Sequence, residues 1–338
     1  NLSTLRLSSS LRGLGLRNIE NSLLGRIVDF IFVVATIGAA GGTIGSYMPM
    51  LSTGFSDIFN LDGSFLVDLS VLGLCVGLFG FSVYKGLTNG IKRLSDVNMI
   101  LAGIFLIIVL FLGPTLEIIN SAFNGLVFMF THFLQMSTLG ITEQSDFADT
   151  WTVFYWAWWV AFGPLVALFV ARISKGRTLK EVILGMLIFG ALGSWLFFMI
   201  LGGYSMELDV NKALAVSQIT GSTHGDLAIA AINTMPFDTL MLFLFCGITV
   251  IFVITSYDSM SYVIAYHVQK SSSENKDPGR YLRLFWAIVL GILPAALIFY
   301  SSHQVALNLI ILASLPLLAI YPLMAISVFK ELNVKETN

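Results

Sequence analysis

The sequence predicts an all-α polytopic membrane protein, on three observations. Apolar stretches long enough to cross a bilayer recur eight times, charged residues are scarce, and almost all the basic ones sit in alternate connecting segments. The chain is 56% apolar and 11% charged, against about 25% charged in soluble domains, and its mean hydropathy is +0.85. A membrane helix needs about 20 mostly apolar residues. Such stretches are expected at 27–50, 64–84, 97–115, 151–171, 181–202, 238–266, 281–300 and 304–328. If residues 1–26 lie inside, the inner segments carry Arg6 to Arg26, Lys85 to Arg93, Arg172 to Lys180, Lys270 to Arg283, Lys330 and Lys335. That is 17 of the 18 basic residues, with Lys212 alone outside. Basic residues near span ends set orientation, so both ends of the chain are expected in the cytoplasm of a cell with this protein in its inner membrane.

Residues 1–26 carry no compact apolar stretch with a small-residue cleavage site, and read as a cytoplasmic linker or the continuation of a larger protein rather than a signal peptide. The first span contains Gly38, Gly41, Gly42 and Gly45. Small residues let membrane helices approach closely, so this run reads as tight packing or as a mobile span. Residues 116–137 are apolar but follow Gly113-Pro114 on the outer side. They read as an interfacial helix, with Phe123, Phe128, Phe130 and Phe133 facing lipid or a second subunit and His132 on its polar face. Residues 203–237 are too polar to span, and short helices are expected near 209–219 and 225–234. His224 there has no partner at metal-ligand spacing. Pro294, Pro316 and Pro322 are expected to break the last two spans, and Cys75 and Cys246 are small core residues with no disulfide or metal spacing.

Two stretches carry chemistry. In 150–180, Trp151, Tyr155, Trp158, Trp159 and Phe162 recur at helical spacing and share one face at about 100° per residue. Trp156 points elsewhere. Five π-faces on a membrane helix are packing, a lipid-facing belt, or the wall of a site for an organic cation. Trp158 and Trp159 fall near mid-depth, which excludes an interfacial belt for that pair. The other stretch is Thr255-Ser256-Tyr257-Asp258-Ser259 inside the sixth span. Hydroxyl and carbonyl oxygens suit a hard cation such as Na⁺, but both hydroxyls can equally bond back to the preceding turn. An intramembrane carboxylate marks a pathway or a pair, and Asp258 could pair with a basic residue near the inner end. No zinc-protease motif, phosphate loop or paired carboxylates occur, so the chain does not read as an enzyme. The Arg172–Lys180 cluster is a membrane-proximal anchor, not a nucleic-acid site.

The string W-T-V-F-Y-W-A-W-W-V-A-F-G-P-L-V-A-L-F-V-A-R-I-S-K-G-R-T-L-K-E (151–181) resembles the signature of the betaine/choline/carnitine transporter (BCCT) family. N-G-I-K-R-L-S-D-V-N-M (89–99) and I-T-S-Y-D-S (254–259) are similar to further family motifs. The resemblance implies a LeuT-type fold of two five-helix inverted repeats. The eight spans would be family spans five to twelve, in a chain lacking the first four spans and not expected to transport alone. Residues 27–115 would then be the last three helices of repeat one, 116–150 the outer interfacial helix and loop, 151–328 repeat two, and 329–338 a cytoplasmic tail. It implies secondary active transport of a quaternary ammonium osmolyte or sulfonium analogue (glycine betaine, choline, carnitine), coupled to Na⁺. A proton-coupled symporter or sodium-independent antiporter of the same family is the alternative. The implied substrate box is Trp158, Trp159 and Phe162, with Tyr155 and Trp156 beside it, and Phe162 stands where the family often has Trp. The implied sodium ligands are Thr255, Ser256 and the Phe252 carbonyl. Leu165 replaces the signature's Phe, which removes a ring from any second ion site. No other cofactor is implied, and the partners implied are substrate, lipid and further copies in a homotrimer through 116–137.

Overall fold

A computed structural model describes residues 6–15, 18–85, 88–142, 151–211, 214, 224–269, 277–299 and 303–336. Every regular element among them is helical. In chain order the α-helices are α1 (Leu23–Phe59), α2 (Phe65–Lys85), α3 (Thr88–Leu112), α4 (Thr115–Thr131), α5 (Phe133–Thr142), α6 (Val153–Ile173), α7 (Leu179–Phe197), α8 (Gly203–Val210), α9 (His224–Asn233), α10 (Asp238–Val268), α11 (Arg280–Phe299) and α12 (His303–Glu336). Eight segments among the described residues are long and apolar enough to cross a membrane, the number expected. They lie on α1, α2, α3, α6, the α7–α8 rod, α10, α11 and α12.

Helix α1 is the hub. Half of its most apolar window is buried, the largest share of the eight, and it packs on α12, α11, α10, α9, α6 and α2. Its glycines explain the close approach. A Cβ on Gly42 would stand 2.6 Å from Ile310 Cγ1 and 2.8 Å from the Ala306 carbonyl oxygen of α12. A Cβ on Gly41 would meet Leu293 Cδ2 of α11 at 2.5 Å. Gly38 faces α12 with Gly42, and Gly45 faces α11 with Gly41, as spacing by four residues requires. The run is therefore a two-sided packing surface.

Several boundaries differ from expectation. α1 continues through Pro49 and ends at Asn60, whose φ of 51° is the left-handed C-cap conformation. Pro294, Pro316 and Pro322 do not break their spans: α11 and α12 run through them. A proline removes one backbone donor, and neighbouring helices hold the rest of the rod together. The expected interfacial helix is two helices, α4 and α5, separated at His132. Phe123, Phe128, Phe130 and Phe133 are exposed there, Phe128 stacks on His132, and Phe130 meets Trp195 of α7 edge-on. α7 runs through a π-turn at Phe198–Gly202 into α8, so the polar segment begins as a continuation of the span. Most of the helix expected at 209–219, and the His224 side chain, lie outside the described residues.

Residues 7–14 and 19–21 are not a free linker. They form two short 3₁₀ helices that bury Leu7, Leu11 and Ile19 against α12 and α1. Ser8 donates its backbone N–H and its hydroxyl to the two Asp29 carboxylate oxygens, each at 3.0 Å. His267 Nε2 of α10 lies 3.4 Å from the same carboxylate. Arg12 pairs with the buried Glu20. The N-terminal end of α1 and the C-terminal ends of α10 and α12 are thereby tied together by residues 7–21.

Candidate functional site

Helix α6 is held between α1, α12 and α10, and this seating decides which aromatic side chains meet. Phe154, Trp158 and Phe162 recur every four residues and form an inward ladder. Phe154 packs with Leu307 and Ile310 of α12. Trp158 stacks on Phe154 with ring centroids 6.1 Å apart and planes 13° apart, and meets Phe162 edge-on at 5.8 Å. Trp151 stacks on Tyr155 at the N-terminal end of the helix, at 6.0 Å. Trp158 Nε1 donates to Thr43 Oγ1 of α1 at 3.0 Å, and that hydroxyl donates to the Ala39 carbonyl at 2.7 Å. The indole is thus fixed through its only donor.

The five residues expected in the site divide. Tyr155, Trp158 and Phe162 stand on the inward side, with Phe162 8% exposed. Trp156 and Trp159 are 70% and 61% exposed, so Trp159 does not share the face of its neighbour. Consecutive residues sit about 100° apart, and the stripe expected from spacing spans both Trp158 and Trp159, with Trp156 off it. Phe154 was missed, although its four-residue spacing to Trp158 and Phe162 is visible in the sequence.

At the N-terminal end of the ladder a cleft of ≈ 460 Å³ is lined by Trp151, Thr152, Tyr155, Trp156 and Phe198 of the π-turn. Among the described residues its lining has four aromatic side chains, the hydroxyls of Thr152 and Tyr155, and no carboxylate. A cation without N–H groups can be held there by the negative faces of the rings, at about 0.5–2 kcal/mol per well-placed contact.

The Gly163-Pro164 pair shapes the same helix. Pro164 has no N–H to give the Val160 carbonyl four residues earlier. Tyr321 of α12 supplies the missing donor, its hydroxyl 3.0 Å from that oxygen. A Cβ on Gly163 would stand 1.9 Å from the Tyr321 hydroxyl. The two residues therefore act together: one frees the carbonyl and the other leaves room for its new partner.

On α10, Thr255 Oγ1 donates to the Ile251 carbonyl at 2.9 Å and to the Phe252 carbonyl at 3.2 Å. This is the back-bonded arrangement. A hydroxyl that has given its proton to a carbonyl still presents lone pairs, so the Thr255 oxygen keeps its capacity to coordinate a hard cation. Ser256 is half-buried and the Phe252 side chain is exposed. Asp258 is buried and accepts a hydrogen bond from Ser82 of α2 at 2.6 Å. The carboxylate is thus paired within the bundle, with a hydroxyl 176 residues away that no spacing rule reaches. Tyr257 donates to the Ala40 carbonyl and fastens α10 to the glycine-rich segment of α1.

Comparison with known proteins points one way. The family model described as "BCCT, betaine/carnitine/choline family transporter" matches residues 2–337. The uncharacterized transporter YeaV of Escherichia coli is 34% identical over 88% of this chain and 62% of its own length. The carnitine transporter of Acinetobacter baumannii is 34% identical over 84% of this chain and 52% of its own. The glycine betaine transporter OpuD of Bacillus subtilis is 30% identical over 93% of this chain and 60% of its own. The chain spans little more than half the length of these relatives.

Proposed function

Because this chain belongs to the betaine/carnitine/choline transporter family, we propose that it takes part in secondary transport of a quaternary ammonium osmolyte across the cell membrane. The observation that carries this is the aromatic surface of α6. It joins a fixed indole, a stacked Trp151–Tyr155 pair and a cleft whose lining, among the described residues, holds no charge. A trimethylammonium group donates no hydrogen bond, and π-faces are what a protein has to hold it. Its relatives carry substrates of this chemistry by name, carnitine and glycine betaine among them. In this proposal Trp158, Phe162 and Tyr155 form one wall. Trp156 lines the cleft beside Tyr155, and Trp159 stands exposed on the other side of the helix.

Coupling to Na⁺ is the second part of the proposal. Thr255, Ser256 and the Phe252 carbonyl offer neutral oxygens of the kind a hard cation takes, more than about three turns from the C-terminal end of α10 at Val268. Movement would follow the alternating-access scheme of inverted-repeat transporters, one bundle rocking against the other. The exposed phenylalanines of α4 and α5 would then face neighbouring copies in a trimer, which cross-linking through a cysteine at Phe128 would detect.

Uptake of labelled glycine betaine, choline and carnitine by proteoliposomes holding the whole protein tests both parts. Trp158→Leu is expected to lower binding at least about tenfold, since it removes a π-face and the indole that Thr43 positions. Unchanged binding would remove the aromatic site. Ser256→Ala is expected to raise the sodium concentration needed for half-maximal uptake. Uptake indifferent to sodium in the unmodified protein would instead point to proton coupling or substrate exchange.

A further inference from the structure

Helices α2 and α11 enclose a groove of ≈ 350 Å³ well away from α6. Its floor is made by glycine: a Cβ on Gly77 would meet nothing within 4 Å, and one on Gly80 would meet only Leu284 Cδ1, at 3.7 Å. Its walls are Val76, Phe81, Tyr84, Leu284 and Ile288. Phe81 and Ile288 are exposed, so the groove opens on the outside of the bundle, where acyl chains lie. Helical spacing carries both walls to the same end. Gly77, Phe81 and Lys85 follow at four-residue intervals on α2, and Ile288, Leu284 and Arg280 do so on α11.

Both stripes thus end in a cation at the side assigned to the cytoplasm by the basic-residue distribution. Lys85 Nζ lies 5.7 Å from the Phe81 ring centroid. Arg280 Cζ lies 5.7 Å from the ring of Tyr84 and 5.9 Å from that of Tyr281. The two tyrosines touch edge-on across the mouth at 6.3 Å. Among the described residues neither cation forms an ion pair. The carboxylate nearest in sequence, Asp277, accepts a hydrogen bond from Tyr262 at 2.5 Å.

We propose that this groove binds one anionic glycerophospholipid of the inner leaflet. One acyl chain lies over Gly77 and Gly80, and the phosphate sits between Lys85 and Arg280. The chemistry selects this occupant. An apolar slot open to the bilayer takes hydrocarbon, two cations at the same end of its two walls take an anion, and an anionic lipid offers both. A zwitterionic lipid would fill the slot without the electrostatic gain.

Native mass spectrometry of the purified protein, titrated with palmitoyl-oleoyl phosphatidylglycerol or the matching phosphatidylcholine, tests this. One phosphatidylglycerol per chain should be retained roughly thirtyfold more tightly than phosphatidylcholine, given about 1 kcal/mol for each of the two cations at an anionic surface. The double variant K85Q/R280Q should abolish the preference. Gly77→Leu projects into open space and should remove the bound lipid without unfolding the protein, while K175Q/R177Q, at another basic turn, should change nothing. Equal retention of the two lipids by the unmodified protein would overturn the proposal, whatever the variants do. So would a preference that survives both K85Q/R280Q and Gly77→Leu.

Discussion

Helix α1 buries half of its most apolar window and α7 buries none of its own, although their mean hydropathies there are 2.0 and 2.2. Both are rich in glycine. On α1 the glycines at 38, 41, 42 and 45 pair at four-residue spacing, and each meets a neighbouring helix within 3 Å of where a Cβ would be. On α7 the glycines at 185, 190 and 193 have nothing within 4 Å. Apolarity sends a helix into a bilayer but does not choose its neighbours, because lipid tails are as apolar as leucine. Small residues in register do choose, since only they let backbones close to contact. What holds α7 locally is its own end. The Thr178 hydroxyl accepts from the Glu181 N–H at 3.3 Å, and Glu181 Oε2 accepts from the Thr178 N–H at 2.8 Å. This is a complete capping box.

The contrast breaks if glycine substitutions on the two helices cost the same. Gly42→Leu drives a side chain into Ile310 and the Ala306 carbonyl. It should destabilise by about 3 kcal/mol or more, seen as a lowered thermal midpoint and loss of monodisperse protein in detergent. Thr178→Ala should act locally. Amide exchange in the first turn of α7 should speed by about fivefold, the effect of losing an N-cap, while exchange in α1 is unchanged. Gly190→Leu should leave the thermal midpoint within the scatter of repeat scans, since surface substitutions away from special features stay within about 0.5 kcal/mol. A large loss at Gly190 would mean that α7 has packing partners in the membrane.

The eight spans could be read from hydropathy because the bilayer imposes a length and excludes charge, and the packing role of the α1 glycines from their spacing. The inward and outward faces of α6 could not. Periodicity fixes angles between side chains but not the direction in which the helix is seated, so Trp158 and Trp159 were indistinguishable until α1 and α12 were placed. Continuity through Pro49, Pro294, Pro316 and Pro322 was equally hidden, because it depends on neighbours that support the rod. The partners of Asp258, Tyr257 and the Val160 carbonyl lie 176, 217 and 161 residues away, on helices whose adjacency is a tertiary fact.

The hydrogen bond from Tyr321 to the Val160 carbonyl also has a mechanical consequence. The oxygen it holds cannot be served from within α6, and in hydrocarbon an orphaned carbonyl costs several kcal/mol. Any excursion that slid α6 away from α12 at this level would have to strand that oxygen or bring another donor to it. Over small displacements the two helices are therefore geared: the segment around Pro164 turns with Tyr321, and α12 is carried along with the aromatic face of α6.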